Sequence, residues 1–277
     1  MSVSKFITIN GLQLHYLDHG TPDKPPLLCV HGLTQNAHAF DGLVAHLTSH
    51  YHVRSLDVRG RGDSAWGPGI EYTPQTYVSD LAGYLEALKI ERVTLIGTSM
   101  GGMISILYAG GYPDRVAKLV LNDIGPDIDP AGIARIGSYV GEAPTEFNDM
   151  KEVAAYYREH YPQMRQIPDA QLIDQVRWSV KPAANGKLTW KMDPQIRKPV
   201  RGATAARQPD MWVPFARIEA PVLVVRGAES DILASRTVER MKSVVRNVES
   251  IEVAGVGHAP SLMEPEALAA IKNFLGA

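Results

Sequence analysis

Apolar and polar residues alternate from Phe6 to Leu17 on either side of Asn10-Gly11, a dipeptide that favours a tight hairpin turn, and the pattern predicts an antiparallel edge to a sheet. Short apolar runs bounded by turn residues follow at Pro26 to Val30, Val53 to Val58, Val93 to Ile96, Ala117 to Leu121, Val222 to Val225 and Ser250 to Val253. Runs of this kind suit strands buried on both faces. Between them lie segments of helical spacing: Phe40 to Leu47, Tyr77 to Leu88, Gly102 to Ala109, Thr237 to Val245 and Glu266 to Leu275. Thr73-Pro74 supplies an N-cap and a first-turn proline for the second of these helices. Strands alternating with helices predict an α/β fold with a mostly parallel sheet, an antiparallel edge, helices on both faces and right-handed crossovers.

The alternation breaks between about Asp127 and Val213, where the helical patterns Val153 to Tyr161 and Leu172 to Val180 follow one another without a buried strand. This reads as a helical lid inserted into one domain that spans residues 1–277. The tail of the insertion, Asn185 to Trp190, carries the turn residues of a short hairpin.

Composition narrows the class. Hydrophobic residues make up 45% of the 277 and charged residues 21%, the balance of a chain with a large core. The 28 Lys and Arg are scattered and offset by 30 Asp and Glu, which gives nucleic acid no basic stripe to bind. Cys29 sits in an apolar run and reads as a small core residue. The N-terminal segment lacks a signal-peptide pattern, and no apolar run approaches the roughly 18 residues of a membrane span, so the expectation is a cytoplasmic protein without membrane partners.

The chemistry centres on Gly97-Thr98-Ser99-Met100-Gly101, a Gly-x-Ser-x-Gly pentapeptide placed between a predicted strand and a predicted helix, where such a motif exposes its serine on a sharp turn. A serine hydroxyl needs a base that titrates near the working pH, and histidine is the usual choice. Of the nine histidines, His258 follows the last strand on the flexible Gly255-Val256-Gly257 turn, at the carboxyl edge where ligand sites gather. His31, opening His31-Gly32-Leu33, reads instead as a residue that fixes a loop shaping an oxyanion hole. The imidazole needs a carboxylate, and Asp231, beyond the strand at Val222 to Val225, gives the chain order Ser99, Asp231, His258. Asp123 is the competing carboxylate, since it too lies just past a strand at the same edge. No His/Cys/Glu cluster has metal-ligand spacing, so neither metal nor organic cofactor is expected.

With these residues in hand, the chain resembles the α/β-hydrolase superfamily, and within it the serine carboxylesterase and lactone-hydrolase branch. The resemblance is carried by the elbow, by His31-Gly32, by the tract Asp57 to Ser64 and by Gly257-His258-Ala259-Pro260. It implies an α/β-hydrolase fold, an oxyanion hole from the backbone N–H groups of Leu33 and Met100, and acyl transfer from a small-molecule ester or lactone. A serine at the elbow weighs against the related dehalogenases and epoxide hydrolases, which place an aspartate there. Three alternatives share the residues: an enol-lactone or carbon–carbon bond hydrolase, an acyltransferase or perhydrolase, and a binding scaffold without catalysis. Trp178, Trp190 and Trp212 are expected either to wall an apolar pocket or to form the core of the lid. Arg61-Gly62-Asp63 matches a cell-adhesion tripeptide but reads as a structural turn.

Overall fold

The computed structural model describes residues 2–161, 164–197 and 210–277. In chain order the elements are β1 (Val3–Ile9), β2 (Leu12–His19), β3 (Pro26–Val30), α1 (Asp41–Leu47), β4 (His52–Leu56), α2 (Pro74–Ala87), β5 (Val93–Thr98), α3 (Met100–Gly111) and β6 (Val116–Asn122). An excursion follows, with α4 (Pro130–Glu142), β7 (Glu146–Phe147), α5 (Met150–His160), α6 (Asp169–Val176), β8 (Val180–Pro182), β9 (Leu188–Trp190) and the short α7 (Trp212–Phe215). The chain then returns through β10 (Val222–Gly227), α8 (Ser235–Val244), β11 (Val248–Val253) and α9 (Pro265–Leu275).

Eight strands form one sheet in the order β1-β2-β4-β3-β5-β6-β10-β11. The first hairpin is antiparallel, β2 also meets β4 antiparallel, and every other pairing is parallel. Asn10 and Gly11 both take positive φ, the conformation a two-residue hairpin turn requires. Alternation along buried strands divides the core between the two faces. Leu28, Val30 and Leu95 join the cluster under α2 and α3, whereas Leu27, Cys29 and Ile96 join the cluster under α1 and α9. Thr73 caps α2 as expected, its Oγ1 accepting from the N–H of Thr76 at 3.3 Å.

The excursion between β6 and β10 has a core of its own, built on Tyr139, Phe147, Val153, Tyr157, Leu172 and Trp190. The sequence pattern predicts only helices and a hairpin there. A hairpin is present, but only its turn and second strand β9 fall within Asn185 to Trp190; its first strand β8 precedes that segment, and β7 adds a third strand to make a small antiparallel sheet. Residues 162–163 and 198–209 of the predicted insertion lie outside the described residues. Among the described residues, no helix is long and apolar enough to cross a membrane.

The strand order puts β5 between β3 and β6, so that the chain winds outward in opposite directions from this point. The crevice at such a switch point, beyond the carboxyl ends of the strands, is where open α/β sheets bind ligands. His31, Ser99 and Asp123 each follow directly on the last residue of β3, β5 and β6.

Candidate active site

Ser99 stands between β5 and α3 with φ 51° and ψ −114°, outside the regions an L-residue ordinarily occupies. The two flanking glycines make this possible. A Cβ on Gly97 would come within 2.6 Å of the Gly101 carbonyl, and one on Gly101 would overlap the Val30 carbonyl. Gly101→Ala is therefore expected to cost about 3 kcal/mol or more, because the atoms it meets are backbone; a shift of the urea midpoint measures it.

His258 faces the serine, with Nε2 2.9 Å from Ser99 Oγ. Its other nitrogen, Nδ1, lies 2.8 Å from Oδ2 of Asp123. A carboxylate on Nδ1 keeps the proton there and leaves the Nε2 lone pair for the hydroxyl proton. The structure thus corrects the expectation that Asp231 holds the imidazole. Asp231 lies four residues beyond the end of β10 and is taken by Arg135 of α4, whose Nη2 donates to Oδ1 at 2.9 Å while Nε donates to Oδ2. This guanidinium, more than burial opposes it, holds the Asp231 carboxyl below its usual range.

Asp123 is fully buried, and its φ of 55° makes it a second non-glycine residue at the site with left-handed backbone. Its carboxylate accepts three hydrogen bonds: from His258, from the N–H of Gly227 at 2.9 Å and from Ser230 Oγ at 2.6 Å. Neither Ser230 nor Asn122 stands out in the sequence. Asn122 donates to the Pro260 carbonyl at 2.9 Å and to Thr98 Oγ1 at 3.1 Å, tying the histidine loop to the strand before the serine. Nothing in their residue type marks them; only their position one residue before each aspartate does.

The Gly32 to Leu33 segment lies against the serine, since a Cβ on Gly32 would sit 3.6 Å from Ser99 Cβ. His31 fixes that segment. Its Nδ1 donates to the Gly32 carbonyl at 2.7 Å, and its Nε2 accepts from the N–H of Val58 at 3.0 Å. Because a trans peptide points its N–H opposite to its C=O, holding the Gly32 carbonyl also sets the direction of the Leu33 N–H. Arg61 adds a bond from Nε to the Leu33 carbonyl at 3.2 Å, and Asp57 braces the same loop by accepting from the N–H of Ala37 at 2.6 Å. Met100, the second predicted donor, is the first residue of α3, where a backbone N–H has no acceptor within its own helix.

Burial pushes the His31 imidazole down to about 4, so it is neutral in the folded chain. The unfolded chain binds a proton that the folded chain refuses, so the resulting stability is full above about pH 6.5 and fades as the pH falls towards 4, by on the order of 3 kcal/mol. His31→Asn is expected to flatten the denaturant midpoint between those pH values. An unchanged slope would show that other groups govern it.

Other expectations find structural readings here. Arg61 is only 1% exposed, so Arg61-Gly62-Asp63 does not present its arginine to a partner. Trp190 is buried in the core of the excursion and donates to the Pro144 carbonyl at 2.7 Å. Trp178 stacks on His38, and Trp212 donates to Asp127. His15, Asp57 and Asp63 bring ligand-type atoms within 4.8 Å of one another, but Asp57 is already filled by His15 Nδ1 and by the N–H groups of Ala37 and Asp63. That trio fits a brace for the loop after β4.

The family model for the alpha/beta hydrolase fold matches residues 25–265. The chain belongs to the α/β-hydrolase family. This α/β hydrolase is 37% identical to the 3-hydroxybutyrate-oligomer hydrolase of Cupriavidus necator, over 95% of the chain and 92% of that relative. It is 26% identical to the 2-(acetamidomethylene)succinate hydrolase of Mesorhizobium japonicum, over 99% of the chain and 96% of the relative. The crystal structure of an α/β hydrolase from Novosphingobium aromaticivorans superposes with a TM-score of 0.90 at 35% identity, covering 99% of this chain and 98% of that one. The α/β hydrolase is accordingly similar to hydrolases over nearly its whole length.

Proposed function

We propose that this hydrolase is a serine carboxylesterase that cleaves small or medium acyl esters through an acyl-enzyme, with Ser99 as nucleophile, His258 as base and Asp123 as the acid that orients it. The observation that carries this reading is the continuous relay from Asp123 Oδ2 through both ring nitrogens of His258 to Ser99 Oγ, with contacts of 2.8 and 2.9 Å. Ser99 Oγ attacks the ester carbonyl while its proton passes to Nε2. The N–H groups of Leu33 and Met100 receive the oxyanion, and the positive end of α3 adds to their field. As the carbon–oxygen bond breaks, the imidazolium returns the proton to the departing alcohol. Water then adds to the acyl-enzyme with His258 again taking a proton, and the acid leaves as Ser99 is restored.

Oligomers of 3-hydroxybutyrate are the first substrates to try, because the relative at 37% identity is named for hydrolysing them. The relative named for 2-(acetamidomethylene)succinate favours a second reading, hydrolysis of an acyl–nitrogen bond by the same residues. A panel of nitrophenyl butyrate, a 3-hydroxybutyrate dimer and an N-acyl enamine decides between them. Ester turnover at least about tenfold above enamine turnover in kcat/KM supports the esterase. The reverse order overturns it. Stoichiometric labelling of Ser99 by a fluorophosphonate is expected in either case, and an inert serine would favour a binding scaffold.

A further inference from the structure

The ion pair that occupies Asp231 also sets a cation near the site, since Asp231 lies close enough to His258 to feel its charge. Ser230 reaches Asp123, and the next residue, Asp231, turns its carboxylate towards α4. From Arg135 the contacts continue to the loop after β3. The guanidinium carbon lies 5.8 Å from the Tyr139 ring centroid, Tyr139 packs against Tyr161 at 5.4 Å, and Tyr161 Oη is 2.8 Å from Oγ1 of Thr34, the residue after Leu33. This chain of contacts begins at Asp231, the residue after the Ser230 that bonds Asp123, and ends at Thr34 in the loop that lies against Ser99. Two of its members are charged and part-exposed: the Arg135 side chain is 40% accessible and that of Asp231 35%.

A pair that wet contributes little to folding, so its attraction does not explain why an arginine stands there. The guanidinium fork, however, matches a carboxylate in two parallel hydrogen bonds, and Asp231 occupies it in that way. Another carboxylate of the same shape can exchange with Asp231, whose own charge then turns to water.

Resting on the esterase reading above, we propose that the substrate is an ester bearing a free carboxylate, and that Arg135 binds this carboxylate in exchange for Asp231. Asp231 holds the fork ready and competes with the acid product for it, which hastens release. The charged end of the substrate then lies towards α4, which carries Arg135.

The test compares the free-acid dimer of 3-hydroxybutyrate with its primary amide, two substrates of one length and one ester bond that differ in charge. The ratio of their kcat/KM values is expected to fall about tenfold in Arg135→Gln, to fall less in Arg135→Lys, which keeps the charge without the fork, and to rise in Asp231→Asn. A ratio unmoved by Arg135→Gln, or lowered by Asp231→Asn, overturns the proposal. Circular dichroism of each variant shows that it is folded. Binding of 3-hydroxybutyrate itself, measured by calorimetry, gives a readout free of catalysis, and affinity retained in Arg135→Gln also overturns the proposal. If the acid and its amide are turned over equally well, this inference fails and the esterase reading stands; if neither dimer nor nitrophenyl butyrate is turned over, the esterase reading has failed.

Discussion

Ser99→Ala is expected to lower kcat on nitrophenyl butyrate by at least about 10⁴-fold, leaving only what the oxyanion donors and binding supply. The size follows from the geometry: among the described residues the Ser99 hydroxyl is the one bonded to His258 Nε2, and it is held there on a backbone turn that no ordinary conformation would provide. Removing Oγ takes away the proposed nucleophile but leaves Gly97 and Gly101 to form the turn. Folding should therefore be intact, with thermal midpoint near that of the parent. Retention of more than a hundredth of the parent rate by a folded Ser99→Ala would mean that another nucleophile acts, and the proposed acyl-enzyme would be wrong.

Asp123→Asn is expected to reduce kcat by about 10⁴-fold, through loss of the negative charge that stabilises the imidazolium and of the acceptor that sets its tautomer. An amide in that place presents an N–H to the ring, and with Gly227 and Ser230 still donating, the site is left with a surplus of donors. Asp231→Asn, by contrast, should keep at least about a third of the parent kcat on the same neutral ester, because this carboxylate is held by Arg135 and not by the ring. The pair of variants measured side by side in steady-state kinetics decides the acid. If Asp231→Asn is the more damaging of the two, the geometry described here is not that of the working enzyme.

The two aspartates show where reading the chain ends. Both follow a parallel strand by a few residues, and both precede His258, so order and spacing fit either one. What separates them is lateral position. β6 is the direct neighbour of the serine's strand, and Asp123 is the next residue after it, whereas β10 lies one strand further out and its loop carries Asp231 away towards α4. Strand order is set by how helices pack across the sheet, a long-range matter that local alternation does not encode. The small sheet in the excursion was hidden for a similar reason. Its strands are two and three residues long, too short for a period of two to register.

Some features were fixed locally. The hairpin at Asn10-Gly11, the buried strands, the capped start of α2 and the elbow around Ser99 each depend on residues within a few positions of one another, and pattern, capping and glycine chemistry specify them without the rest of the chain. The meeting of His258 with Ser99 was anticipated because both residues lie past parallel strands at one rim. The choice of partner for the imidazole, the bonds from Ser230 and Asn122 that hold it, and the capture of Asp231 by Arg135 are decided only when segments about a hundred residues apart pack together. Hydrogen bonds and ion pairs act over a few ångströms, and which groups come that close is a property of the packed sheet.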